Sequence, residues 1–115
     1  MSNPATIQAR YLRDEPPVRL GGLAANLARI KSFSDHPDHR DVVEHLLEES
    51  KFMIEWTARD TGLDVQAELV ELQVQLSCWQ YRWQDIWVDP EKRASVAQLA
   101  GAWSQRVLKL SGLAE

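Results

Sequence analysis

Between Asp64 and Val88 lies a stretch whose apolar residues admit few folds. Val65, Leu69, Leu72, Leu76, Trp79, Trp83 and Ile86 follow one another at steps of 4, 3, 4, 3, 4 and 3. An α-helix turns once in about 3.6 residues, so this spacing keeps all seven on one stripe. The stripe predicts a single helix over about 64–88 that buries a heptad seam against other helices. An apolar stripe needs apolar partners, and the rest of the chain supplies them.

Three further helices are legible. Leu20, Leu23, Leu27 and Ile30 repeat at 3, 4 and 3 in a helix over about 18–33. Gly21 and Gly22 weaken it, and with Ala24, Ala25 and Ala28 they leave a thin surface for close helix approach. Val42, Val43, Leu46, Leu47, Met53 and Ile54 share one face of a helix over about 38–61, with Gly62 as its stop. Its other side carries Glu44, Glu48, Lys51 and Glu55. Asp64 is placed to cap the next helix. Val96, Ala100, Trp103, Val107 and Leu110, with Leu99 alongside, mark a helix over about 90–111. Asp89-Pro90-Glu91 starts it, Gly112 stops it, and Leu113 is placed to fold back on Leu108.

The connections are short. Ser34-Asp35-His36-Pro37-Asp38 joins the first two helices, with Asp35 or Asp38 free to cap, and Thr61-Gly62-Leu63 joins the next two. Neighbours joined so tightly run antiparallel. The expected fold is all-α: an antiparallel up-and-down four-helix bundle with an N-terminal arm or short helix. Residues 1–17 form the arm and 18–115 the helical domain. Asn3-Pro4 suits a helix start through about Arg13, and Asp14-Glu15-Pro16-Pro17 predicts an extended break. Ile7, Tyr11 and Leu12 are the residues that would pin the arm. The competing architecture is a three-helix bundle of residues 38–111 with the glycine-weakened helix laid across it.

Composition narrows the class. At 115 residues, 44% apolar and 26% charged, the chain can bury one ordinary core. A net charge of -4 without a basic cluster argues against nucleic acid. No run has the length to span a membrane, and the N-terminal stretch lacks the apolar segment of a signal peptide. Cys78 is the only cysteine, so no intramolecular disulfide forms; a reducing, cytoplasmic setting is expected. The chain is tryptophan-rich, with Trp56, Trp79, Trp83, Trp87 and Trp103. Trp79 and Trp83 lie in the seam, which favours packing over stacking on bases or sugars.

No catalytic constellation emerges. Glu-x-x-His, required twice by a carboxylate-bridged metal pair, is absent, as are phosphate loops and Gly-x-Ser-x-Gly. Cys78 sits mid-helix with nothing nearby in sequence to activate it. No cofactor and no metal is expected. The nearest approach to a ligand site is a strip of Asp41, His45 and Glu49 at i, i+4 and i+8, with His39 before it and Trp56 beyond it. Such a strip is the alternative function: a small-ligand or metal-binding bundle, possibly an enzyme, completed by Arg or Asp from a neighbouring helix.

The leading expectation is non-catalytic. Val70, Val74, Tyr81 and Val88 cluster about 160° from the seam of their own helix, with Ala67 and Cys78 near them. A helix of a simple monomeric bundle is polar there. Three coverings compete: the N-terminal arm, the same stripe of a second chain, or a different protein. Phe52 and Trp56 are a further interface candidate, at the border of the second helix's apolar face. The chain is expected to be a protein-interaction or self-association module, a homodimer first.

Overall fold

The computed structural model describes residues 4–113; Asn3, half of the predicted helix start, lies outside the described residues. Every regular element is helical. The α-helices are α1 (Pro4–Leu12), α2 (Pro16–Phe33), α3 (Arg40–Ala58), α4 (Leu63–Tyr81), α5 (Trp83–Trp87) and α6 (Pro90–Ser111), with a 3-10 turn at Pro37–His39 before α3. Among the described residues there is no strand, and no helix is long and apolar enough to cross a membrane.

Helix α2 begins earlier than its sequence suggests. Glu15 is the N-cap, and both Pro16 and Pro17 lie inside the first turn. Of the expected extended break at Asp14–Pro17, only Glu15 is extended; Asp14 closes a turn onto the Tyr11 carbonyl. A first-turn residue has no intrahelical partner for its N–H, so the prolines lose nothing there. Leu20, Leu23, Leu27 and Ile30 are all buried as their period requires. Ala25 and Ala28 face outward instead of lining the thin surface.

That thin surface receives α6, which makes the most extensive contact in the molecule with α2. Ala24, Ala97 and Ala100 are buried in this layer. The Ser104 hydroxyl donates to the Ala24 carbonyl at 2.7 Å, a distance open only to helices that nearly touch. A Cβ on Gly101 would come within 2.8 Å of the Lys31 side chain. On α6, Val96, Trp103 and Val107 are buried; Leu99 is exposed, contrary to expectation, and Ala97 takes the inward place. Asp89 caps α6, accepting from the amides of Glu91 and Lys92, and Gly112 ends it at φ 75. Leu113 lies over Gly21, and its amide donates to the Ser111 hydroxyl.

Helix α3 is shorter than predicted and packs on α2 and α4. Val43, Leu46, Leu47 and Ile54 are buried, whereas Val42 is exposed and Met53 is half-buried. Asp35 and Asp38 do not cap: the His36 ring accepts from the Asp38 amide at 3.2 Å. Helix α3 ends at Ala58, and Gly62, expected as its stop, is the N-cap of α4, displacing Asp64 from that role.

The predicted seam is buried from Leu69 to Ile86, with Val65 half-buried at its start. It does not lie on one helix. The run breaks at Arg82, whose φ of -103 and ψ of 17 are outside the helical region. No glycine or proline stands there. Beyond it, α5 leaves α4 to pack chiefly against α6. Trp83, Ile86 and Trp87 are all buried, and the Trp87 indole donates to the Pro37 carbonyl at 2.8 Å. Arg93 fixes the same residue from α6, with its guanidinium over the Trp87 ring and a hydrogen bond to the Trp87 carbonyl. The Cα radius of gyration, 13.8 Å, is close to the roughly 13 Å expected of a compact chain this long.

Candidate functional site

The N-terminal helix is pinned, but not where it would hide the outer face of α4. Tyr11 does the pinning. Its phenol donates to the Arg19 carbonyl at 2.6 Å and accepts from the Thr57 hydroxyl at 3.3 Å. Its ring lies 5.8 Å from that of Trp56, which stacks on Phe52 at 5.6 Å. Burial pushes the Tyr11 phenol up to about 12, against the opposing pull of the Thr57 hydrogen bond.

Beside it, the buried Arg19 donates to the carbonyls of Asp14 and Trp56 and pairs with Asp60 at 2.9 Å. One guanidinium thus ties the start of α2 to the end of α3 and the turn after α1. A buried charge is tolerated when its donors are met in this way. Sequence reasoning missed Arg19, since its partners Trp56 and Asp60 lie far along the chain. Trp56 is consequently half-covered by α1, and Phe52 stands at the rim with 36% exposure.

The polar strip of α3 is dispersed. His45 lies 3.8 Å from Glu49, whose other carboxylate oxygen accepts from the buried Asn26 at 2.9 Å. Arg29 donates in turn to Asn26, so Glu49 belongs to an α2–α3 network. His39 turns back, its Nδ1 3.2 Å from the Phe33 carbonyl and its ring edge-on to Phe33. Asp41 and His45 do share an open groove of about 490 Å³ with Glu44, Glu48 and Gln80. Gln80 spans it from α4, donating to Glu48 and accepting from Lys51. Glu49, His39 and Trp56 do not line that groove. Among the described residues, no three His, Cys, Asp or Glu side chains gather as a metal site would require.

The outer face of α4 is the opposite case. Val70 is 61% exposed, Val74 58% and Tyr81 88%. The structure adds Leu63, 82% exposed at the start of the same helix. Side chains of this size on one helical face are the exception in a folded chain, where single scattered apolar residues are the rule. Val74, Tyr81 and the exposed Cys78 line a shallow depression of about 450 Å³ with Gln73, Ser77 and Arg82. Val88, placed with this face by its spacing, is 79% exposed but lies beyond the break, at the end of α5. The face proper therefore runs from Leu63 to Tyr81.

Its two borders are held by different neighbours. Toward α3 stands the Gln80 bridge just described. Toward α6, Arg106 pairs with Glu68 and, at 3.2 Å, with Glu71, and its guanidinium lies 4.5 Å from the centre of the Trp103 ring. The helix presenting the face is thus met by side-chain contacts on both flanks.

No protein-family model matches the chain, and neither a curated protein nor a solved structure is significantly similar to it.

Proposed function

We propose that this protein acts by association, using the outer face of α4 as its docking surface and a second copy of itself as the partner. The observation that carries this reading is the exposure of Leu63, Val70, Val74 and Tyr81 on one face of a helix whose other face is already buried. Covering a side chain of this kind gains on the order of 1.5–3 kcal/mol, so four together, doubled by symmetry, are a substantial drive to pair. The N-terminal helix, which could have covered them from within, is engaged at Trp56 through Tyr11. In this reading α2, α3, α4 and α6 make an up-and-down bundle, with α1 as a strap and α5 as a short cross-piece. The protein is cytoplasmic and non-catalytic, and Phe52 with Trp56 forms a secondary contact region.

Sedimentation equilibrium at tens of micromolar tests it. The expected result is a dimer that dissociates on Val74→Glu or Tyr81→Glu, because a charge introduced into an apolar contact has no partner there. A monomeric parent protein, unchanged by either substitution, overturns the reading.

A further inference from the structure

Resting on that reading, we infer how the second copy is seated: the two α4 helices pair antiparallel, in full overlap, with the N-terminal end of each against the C-terminal end of the other. The first ground is a second heptad seam on the outside of α4. Leu63, Ala67, Val70, Val74, Ser77 and Tyr81 follow at steps of 4, 3, 4, 3 and 4, and every one of them is apolar or uncharged. This is the pattern that lets one helix pack along another for its whole length, here about 28 Å. In antiparallel full overlap, Val70 meets Val74 of the other copy, Ala67 meets Ser77, and Leu63 meets Tyr81. Small thus faces small and large faces large in every layer.

The second ground is charge, and it selects the direction. Asp64 sits at the start of α4 and Arg82 just past its end, on the same side of the helix. Among the described residues, neither side chain has an ion-pair partner within its own chain. Antiparallel pairing brings Asp64 of each copy within reach of Arg82 of the other, twice. Parallel pairing would hold Asp64 and the Arg82 of the other copy at opposite ends of the helix pair and would forgo both ion pairs. Antiparallel helices also oppose their dipoles.

The seam's borders fit the same arrangement. One border is Gln66, Gln73 and Gln80, each seven residues from the next. Across a two-fold axis Gln73 meets its own copy and Gln66 meets Gln80, neutral side chains that set no like charges against each other. The other border brings Glu71 toward Glu71 at its centre, where each carboxylate already carries its own Arg106 at 3.2 Å. A surface so arranged lets two chains of net charge -4 meet without confronting bare acidic groups.

Cysteine cross-linking tests the seating. In a Cys78→Ser background, Ala67→Cys and Ser77→Cys are made separately, each is oxidised alone, and the two are then mixed and oxidised. The expected result is a covalent dimer from the mixture alone, because residue 67 faces residue 77 and not itself. Native Cys78 is expected to give no disulfide-linked dimer, since antiparallel overlap holds the two thiols about 20 Å apart along the axis. Asp64→Arg and Arg82→Asp should each weaken the dimer roughly tenfold, and the double exchange should restore it. Efficient linking of Ala67→Cys to itself would mean a parallel pair: the seating falls while self-association stands. A dimer by sedimentation that none of these cysteines links would place the contact off α4 and overturn the seating. A monomer by sedimentation, with no linking, overturns both.

Discussion

Helices α2 and α4 both carry an apolar stripe of the right period, yet they meet the rest of the molecule in opposite ways. Helix α2 is approached by α6 through Ala24, Ala97, Ala100 and Ser104, close enough for a side-chain hydroxyl to reach a main-chain carbonyl. Helix α4 is met on its inner side through Leu69, Leu72, Leu76 and Trp79, long side chains that hold the backbones apart. Ion pairs of Arg106 then bridge α4 to α6. From its middle onward, the outer side of α2 is small or polar: Ala25, Ala28, Arg29, Lys31 and Ser32 face solvent. The outer side of α4 repeats large apolar residues. Small residues complete an interface within the chain; large residues on both sides of α4 leave one of its apolar faces exposed, the face we propose as a docking surface.

The largest effect is expected where the long side chains do the spacing. Trp79 is 6% exposed in the inner seam of α4. Trp79→Ala should cost about 3–5 kcal/mol in chemical denaturation, because helices held by their neighbours collapse only partly into the void. A loss below about 1 kcal/mol would mean that the seam is loosely filled and closer in kind to a solvated surface than to the α2–α6 layer. The opposite substitution probes that layer. Ala100 is fully buried where α6 meets α2, and Ala100→Leu should destabilise by about 1–3 kcal/mol, since the added carbons force the backbones apart. A neutral outcome in the same denaturation measurement would reveal slack between helices that the Ser104–Ala24 hydrogen bond says is absent.

How much of this is legible in sequence follows from the range of each interaction. The stripes of α2 and α4 are local and periodic, so Leu20 to Ile30 and Leu69 to Ile86 are buried where their spacing places them. Asp89 and Gly112 mark the ends of α6 for the same local reason. The break at Arg82 has no local sign, since no glycine or proline stands there, and the Pro37 carbonyl that holds Trp87 beyond it comes from far along the chain. Arg19 and Asn26 look like solvated helix residues until Asp60 and Glu49 are brought to them. Of the exposed apolar face of α4, Val70, Val74 and Tyr81 are readable from helical projection. Leu63 is not, because the sequence favours Asp64 as the cap and so places Leu63 outside the helix.

The smallest effect on the isolated chain is expected on the outer face of α4, and its smallness is what separates the two sides of that helix. Val74 is 58% exposed and supports no neighbour in the core. Val74→Ser keeps a similar helix propensity and adds no charge, so the dilute protein should change in stability by no more than about 0.5 kcal/mol. At higher concentration the two proteins should part. Self-association stabilises the folded chain by mass action, so the melting temperature of the parent protein should climb between low and high micromolar concentration while that of the variant climbs less. Thermal unfolding at both concentrations reads this directly. Equal slopes for parent and variant would mean that Val74 is mere exposed surface, and α4 would then differ from α2 only in the size of its side chains.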